Sequence, residues 1–429
     1  MSQRIQSLLR QITAEVAIFI AFVVFLLCLF VFFILKPDGA PSRTIYSSLP
    51  QRMPGGARDK QTADMERAIR LALEESDGKA GKFKVEYEAL DASNDDGEFE
   101  SERVRANARR AAGDSDTAVY IGDRTSGASI ESIPILSKAS VPQISPASTR
   151  VGLTIEDPTG DADEPRKYYP AGYRNFVRVI PNDNVQAAAL VTLMKRDGCK
   201  RVAMINDGGD YGAGLSNNQT VFERPKRVFR QSVRPNAAAA IYDGLARQAK
   251  ARRADCFQYA GSSNPNTVAI FRAFGEAVPG IRLYATDGVS ESSFTDAGDA
   301  SCVDLNLMVP PRDLDAYRGF LDRFTAAYPE IKDPDPYAIY AYEAMRLALD
   351  AIERSPNGKP DKILERLRET MDRPSLLGTY SIDDDGDTTL VDYDVERIRD
   401  CRPALPRRAV TKDELQKTLR VLKQRLQTP

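Results

Sequence analysis

The chain has 429 residues, a formal net charge of −2 and neither histidine nor tryptophan. A chain of this length forms two cores more readily than one. With no basic stripe in the folded part, the near-neutral balance argues against a nucleic-acid partner. The missing histidine excludes a Ser–His triad, His-ligated metal and imidazole acid–base chemistry. Carboxylate and lysine chemistry stay open, but the weight moves from catalysis towards binding.

Val16–Leu35 is a run of 20 residues without charge or proline, the length that crosses a hydrocarbon core as a helix. It is longer than the apolar region of a cleaved signal peptide, and no A-x-A site follows it. Arg4 and Arg10 precede it, so the positive-inside rule puts residues 1–15 in the cytoplasm and the bulk of the chain outside. The expectation is a single-pass anchor at 16–35, a short linker at 36–43, and an extracytoplasmic domain at the cell membrane. The alternative is a long signal peptide cleaved within Asp38–Ser42. Cys28 lies inside the apolar run rather than after a small-residue lipobox, so it does not read as a lipidation site.

Beyond the linker, Thr44–Ser47 reads as a first strand. Arg58–Glu75 is an amphipathic helix with Met65, Ala68, Ile69, Ala72 and Leu73 on one side. Lys84–Leu90 alternates and predicts a strand; Glu98–Ala112 is a charged helix. Ala118–Ile121 is a buried strand followed by a helix to about Ala139, then a strand at Val141–Ser145. Glu156–Tyr173 is acidic and proline-containing and reads as an irregular surface loop. The run Phe176–Ile180 is stopped by Pro181. Asn182 or Asp183 then caps a helix carrying Val185, Ala189, Leu193 and Met194, and Lys195, Arg196 and Gly198 end it. Val202–Ile205 is a continuous apolar run, as in a strand buried on both faces. Asn206–Gly214 reads as a polar, glycine-rich turn. The alternation continues with strands at 228–233, 256–260, 281–285 and 303–309. Helices are expected at Ala237–Arg252, Thr267–Ala277, Asp313–Tyr328, Pro336–Arg354 and Asp361–Met371. Gly378–Ile382 and Leu390–Ile398 flank DDDGD, a hairpin signal. In the basic tail, within 404–429, Leu415, Leu419, Leu422 and Leu426 make an amphipathic helix. That helix either packs on its own domain or meets a partner. Strand–helix alternation of this kind defines an α/β protein with parallel sheets.

In an open parallel sheet, ligands bind beyond the carboxyl ends of the strands. Those positions hold Gly122–Gly127, Ser145–Thr149, Asn206–Tyr211, Ala260–Ser262 and Thr286–Gly288. The set suits a zwitterion. Ser126 and Thr149 hydroxyls and helix-start N–H groups serve a carboxylate, and Asp287 serves an ammonium. Singly, such residues cap helices as often as they bind ligands; the case rests on their joint position. No Gly-x-Gly-x-x-Gly follows the first strand, so a dinucleotide is not expected. Cys199, Cys256, Cys302 and Cys401 allow three connectivities and lack zinc-site spacing. No cofactor or metal is expected.

VPQISPAST (Val141–Thr149) and NFVRVIPNDNVQAAALVTLMKRDGCKRVAMINDGGDYGAGL (Asn175–Leu215) closely resemble the periplasmic binding proteins of the leucine/isoleucine/valine type, the substrate receptors of amino-acid ABC transporters. The resemblance covers most of Thr44–Pro403. It implies a two-lobed type I periplasmic-binding-protein fold, with crossovers near Pro181, Pro310–Pro311 and Ser381–Asp387. Lobe 1 would be 44–181 with 311–382, and lobe 2 would be 182–310 with 388–403. Ser126 in GDRTSGAS matches the family serine that binds the ligand carboxylate. Ala147, Ser148 and Thr149 match the loop that supplies backbone groups and a threonine. Tyr211 matches the turn tyrosine, and Asp287 in ATDGVSE the acidic residue that holds the ammonium. The family topology also implies disulfides 199–256 and 302–401. Gln61 stands near where the family often has an aromatic residue, Ser262 where it has a tyrosine, and Asp287 replaces the commoner Glu. These departures keep amino-acid binding but disfavour a branched aliphatic side chain. The implied function is a membrane-tethered solute-binding receptor. It would close on an amino acid or similar small polar ligand and deliver it to an ABC permease. The alternative is an extracytoplasmic sensor or co-receptor acting through protein contacts. An enzyme is least favoured, since no nucleophile–base pair or metal set is apparent.

Overall fold

The computed structural model describes residues 40–264, 266–290, 305–309, 314–399, 402–403, 407–408 and 412–426. The apolar segment 16–35, Cys302 and Cys401 lie outside them. Among the described residues no helix is long and apolar enough to cross a membrane.

Two sheets organise the chain. The first runs β2-β3-β1-β4-β5-β6 (β1 Ser42–Leu49, β2 Lys79–Ala80, β3 Phe83–Asp91, β4 Thr117–Ile121, β5 Gln143–Ser145, β6 Phe176–Arg178). Pairs β1–β4, β4–β5 and β5–β6 are parallel. The second runs β13-β12-β11-β10-β9-β7-β8, with β7 Arg201–Asn206, β8 Lys226–Ser232, β9 Cys256–Ala260, β10 Arg282–Ala285, β11 Leu305–Val309, β12 Asp394–Arg399 and β13 Arg402–Pro403. It is parallel from β8 to β11, and β12 is antiparallel to β11. Each sheet with its helices is one lobe.

Helices close both faces. Helix α1 (Lys60–Glu74) starts where Asp59 accepts a hydrogen bond from the Thr62 amide at 2.6 Å, a side-chain N-cap. It buries Met65, Ala68, Ile69 and Ala72 in the core of the first lobe, together with Ile339, Tyr340, Met345 and Leu349 of the later helix Ala338–Arg354. In the second lobe the covering helix Asp183–Arg196 is capped by Asn182. It shares a core with Leu415 and Leu422 of the C-terminal helix Lys412–Leu426. Thr192 and Thr418 hydroxyls bond at 2.7 Å, so this helix packs on its own domain. The opposite face buries Tyr242, Ala246, Phe271 and Phe274. Parallel neighbours β7 and β9 pair Val202 with Cys256. Cys256 and Cys199 are joined, with Cα atoms 5.9 Å apart.

Four local differences from the sequence reading have physical causes. Asp210–Asn218 is a helix rather than a turn. Its glycines lower helix propensity but are needed there, since a Cβ on Gly212 would lie 2.5 Å from the Ala260 carbonyl oxygen. The expected hairpin is only a tight turn at Gly386, with one bridge between Ile382 and Thr388. The following chain leaves to pair β12 with β11. The segment Glu156–Tyr173 is not merely a surface loop. Tyr168 and Tyr169 pack against Ile133, Leu153 and Phe176, and Glu164 lies buried beside Arg150 at 2.8 Å. The tail helix begins at Lys412, after the short strands at Arg402–Pro403 and Arg407–Arg408.

Candidate functional site

The strand ends of the two sheets face one another across a cleft. Its floor is a cavity of about 50 Å3 lined by Gln61, Arg124, Ser126, Ala147, Tyr211, Ser262 and Asp287, among others. A recess of about 770 Å3 opens beside it between Phe99, Asp207 and Arg234. Arg150 reaches from the first lobe to the Asp210 carbonyl of the second at 3.0 Å.

From the first lobe, Ser126 is the first residue of the helix Ser126–Lys138, whose N-cap is Thr125. Its hydroxyl accepts from the Arg150 amide at 3.1 Å and keeps its proton for a ligand. The first-turn amides of the helix add a partial positive charge suited to an anion. In the SPAST loop, Ser145 Oγ accepts from the Ala147 and Ser148 amides at 3.3 and 2.9 Å. Ser148 Oγ lies 2.8 Å from Ser129 Oγ and 3.1 Å from the Asp123 carbonyl oxygen. Ser148 therefore braces the loop and does not line the cavity, whereas Ala147 does. Thr149 is buried behind the cavity, and its hydroxyl makes no hydrogen bond.

The second lobe supplies carboxyl groups. Asp287 is 1 % exposed, and its two oxygens accept from the Tyr211 and Tyr393 phenols. Burial pushes its carboxyl above the usual carboxylate range, against those hydrogen bonds. Gly288 is fixed by crowding, since a Cβ there would stand 2.6 Å from the Gly261 carbonyl. Asp207 holds the neighbouring turn by accepting from the Gly209 and Ser262 amides at 2.9 and 3.0 Å.

Sequence reasoning weighed Asp183 only as a helix cap. It is fully buried and neither carboxyl oxygen has a hydrogen-bond partner; its amide donates to the Thr149 carbonyl at 2.9 Å. Burial first, and the charge of Asp287 second, push its carboxyl up to about 8. The Thr149 hydroxyl and the Arg178 and Arg150 guanidiniums act against that shift. The available signal was an acidic residue two positions after Pro181, in the crossover between the sheets.

A pH dependence follows. The folded chain holds the Asp183 proton up to about pH 8, whereas an unfolded chain releases it near ~3.9. Stability is therefore full below the unfolded value and falls as pH rises through the folded one. Asp287 contributes with the same sign. The melting temperature of Asp183→Asn relative to wild type should rise between pH 5 and pH 8 in ligand-free protein. A pH-independent difference would mean that Asp183 is ionised throughout.

Paired strand-end clefts that close over a polar cavity define a two-lobed solute receptor. A model described as "Periplasmic binding protein" matches residues 54–399, and the chain belongs to that family, one of receptors rather than enzymes. The Leucine-, isoleucine-, valine-, threonine-, and alanine-binding protein of Pseudomonas aeruginosa is 28% identical over 52% of this chain and 60% of that protein. Leu/Ile/Val-binding protein homolog 1 of Brucella abortus is 23% identical over 64% of this chain and 70% of that protein. The structure of a leucine binding protein from Thermotoga maritima superposes with a TM-score of 0.71 at 23% identity, covering 87% of this chain and 99% of the other. A solute binding protein of an ABC transporter from Rhodopseudomonas palustris, in complex with p-hydroxybenzoic acid, superposes at 0.70 with 16% identity, covering 86% and 98%. These structural likenesses show the fold.

Proposed function

We propose that this chain is a membrane-tethered extracytoplasmic receptor that closes on an α-amino acid and hands it to an ABC permease. The observation that carries the reading is that buried Asp287 and the Ser126 helix start line one cavity. Carboxyl groups in a closed cleft favour an ammonium, and the helix start favours a carboxylate. Ser126 donates to the ligand carboxylate, Asp287 holds the ammonium by charge, and Tyr211 covers it from the second lobe. An aromatic acid without an ammonium, as in the p-hydroxybenzoic acid complex above, would leave the Asp287 carboxyl without a cationic partner. Delivery to a permease is supported by the amino-acid-binding relatives. Permease and ATPase genes beside this one would favour it over a sensor or co-receptor.

The tether rests on Val16–Leu35 and its arginine flank. N-terminal sequencing of the mature protein should find residues 1–15 present. A start at or after Asp38 would show a cleaved signal peptide and a free receptor.

A further inference from the structure

We infer that the side-chain end of the cavity selects a carboxamide, so that the ligand is an amino acid of the asparagine or glutamine type. This rests on the amino-acid reading above and deepens it.

Gln61 lines the cavity and is 4 % exposed. Its Nε2 donates to Asp335 Oδ1 at 3.2 Å. A carboxylate only accepts, so this bond fixes which way the amide faces. Asp335 is itself held, accepting from the Tyr337 amide at 3.0 Å. Gln61 Oε1 is thus committed as an acceptor, and it has no hydrogen-bond partner. A ligand side chain placed against it must bring an N–H or O–H. Leucine or valine brings neither and would leave this buried acceptor unmatched, the situation in which hydrogen-bonding sites discriminate most strongly.

Arg124 supplies the complementary half. Its guanidinium lines the same cavity and contains donors only, so the ligand also needs an acceptor. Nη1 lies 2.9 Å from Asp59 Oδ1, and that ion pair balances the arginine charge within the first lobe. Glu98 adds a carboxylate to the lining. An acidic side chain therefore meets no net positive charge, and a cationic one, which only donates, finds no acceptor in the guanidinium. A neutral carboxamide offers its NH2 to Gln61 Oε1 and its carbonyl to Arg124. Ser262 and Ser263 complete a polar wall.

Calorimetric titration of the full-length chain in detergent, with L-glutamine, L-asparagine, L-glutamate, L-aspartate and L-leucine as probes, tests this. One amide should bind at least about tenfold more tightly than both its own acid and leucine, as expected when a buried acceptor gains or lacks its donor. Gln61→Met, checked for a normal melt, should remove most of the amide-over-leucine difference. Leucine binding as well as the amides, an acid matching its amide, or an unchanged ranking in Gln61→Met would overturn the inference. If Gln61→Met does not fold, the wild-type ranking decides alone. Tight leucine binding that is lost in Asp287→Asn would leave the receptor reading standing while sinking the carboxamide. Silence from every amino acid would sink both.

Discussion

Asp387→Ala is expected to lose about 3–5 kcal/mol of stability, the cost of leaving a buried charge without its partner. Arg178, at the end of β6, is fully buried and donates from Nε to Asp387 Oδ1 at 2.7 Å. Its Nη1 donates to the Ser148 and Arg150 carbonyls at 3.1 and 2.8 Å. The other Asp387 oxygen accepts from Asn182 Nδ2 at 2.6 Å, and Asn182 caps the first helix of the second lobe. One carboxylate thus joins the end of the first sheet, the SPAST loop behind it and two connections between the lobes. Asp387→Asn keeps one acceptor and should lose less than half as much. In urea unfolding the midpoint should fall while the slope stays constant. A loss below about 1 kcal/mol for Asp387→Ala would show that water or rearrangement compensates the guanidinium.

Asp287→Asn should weaken amino-acid binding by about tenfold to a hundredfold, because a charge-assisted hydrogen bond to the ammonium is replaced by a neutral one. Its position after a strand suggests that truncation is tolerated, but the packing says otherwise. Tyr211 and Tyr393 both donate to this carboxyl. Asp287→Ala would strand the buried Tyr393 phenol at a cost of about 1–3 kcal/mol and leave the Tyr211 phenol to Gln186 Oε1 at 3.1 Å. The asparagine variant separates binding from folding better, with calorimetry reading affinity and thermal melts reading stability. Ser126→Ala should do less, since first-turn amides still serve the carboxylate. Unchanged affinity in Asp287→Asn would mean that the ligand presents no ammonium there.

Most of the architecture was readable because strand and helix periodicities are strong where burial is one-sided or complete. The second-lobe helix Thr267–Ala277 and the strand Cys256–Ala260 run over their expected bounds. Ser126, Ala147, Tyr211, Ser262 and Asp287 could be assembled because strand ends converge in this topology, Gln61 came only from the family resemblance, and all six line one cavity. What escaped depends on contacts distant in sequence. Asp183 resembles a helix cap until Asp287, about a hundred residues on, is placed beside it. Asp387 resembles a hairpin turn residue until Arg178 meets it across a separation of 209. Gly212 and Gly214 resemble a turn because the close approach of Ala260 that requires Gly212 is invisible locally.

The central claim is that the cleft binds a zwitterion through its ammonium. Thermal unfolding of wild type and Asp287→Asn, each with the standard L-amino acids in turn and with p-hydroxybenzoate, tests it most directly. At least one amino acid, at about 100 times its dissociation constant, should stabilise wild type by about 2.7 kcal/mol. Its effect should largely vanish in Asp287→Asn, and p-hydroxybenzoate should do nothing to either. Stabilisation by p-hydroxybenzoate alone, equal in the two proteins, would contradict the claim.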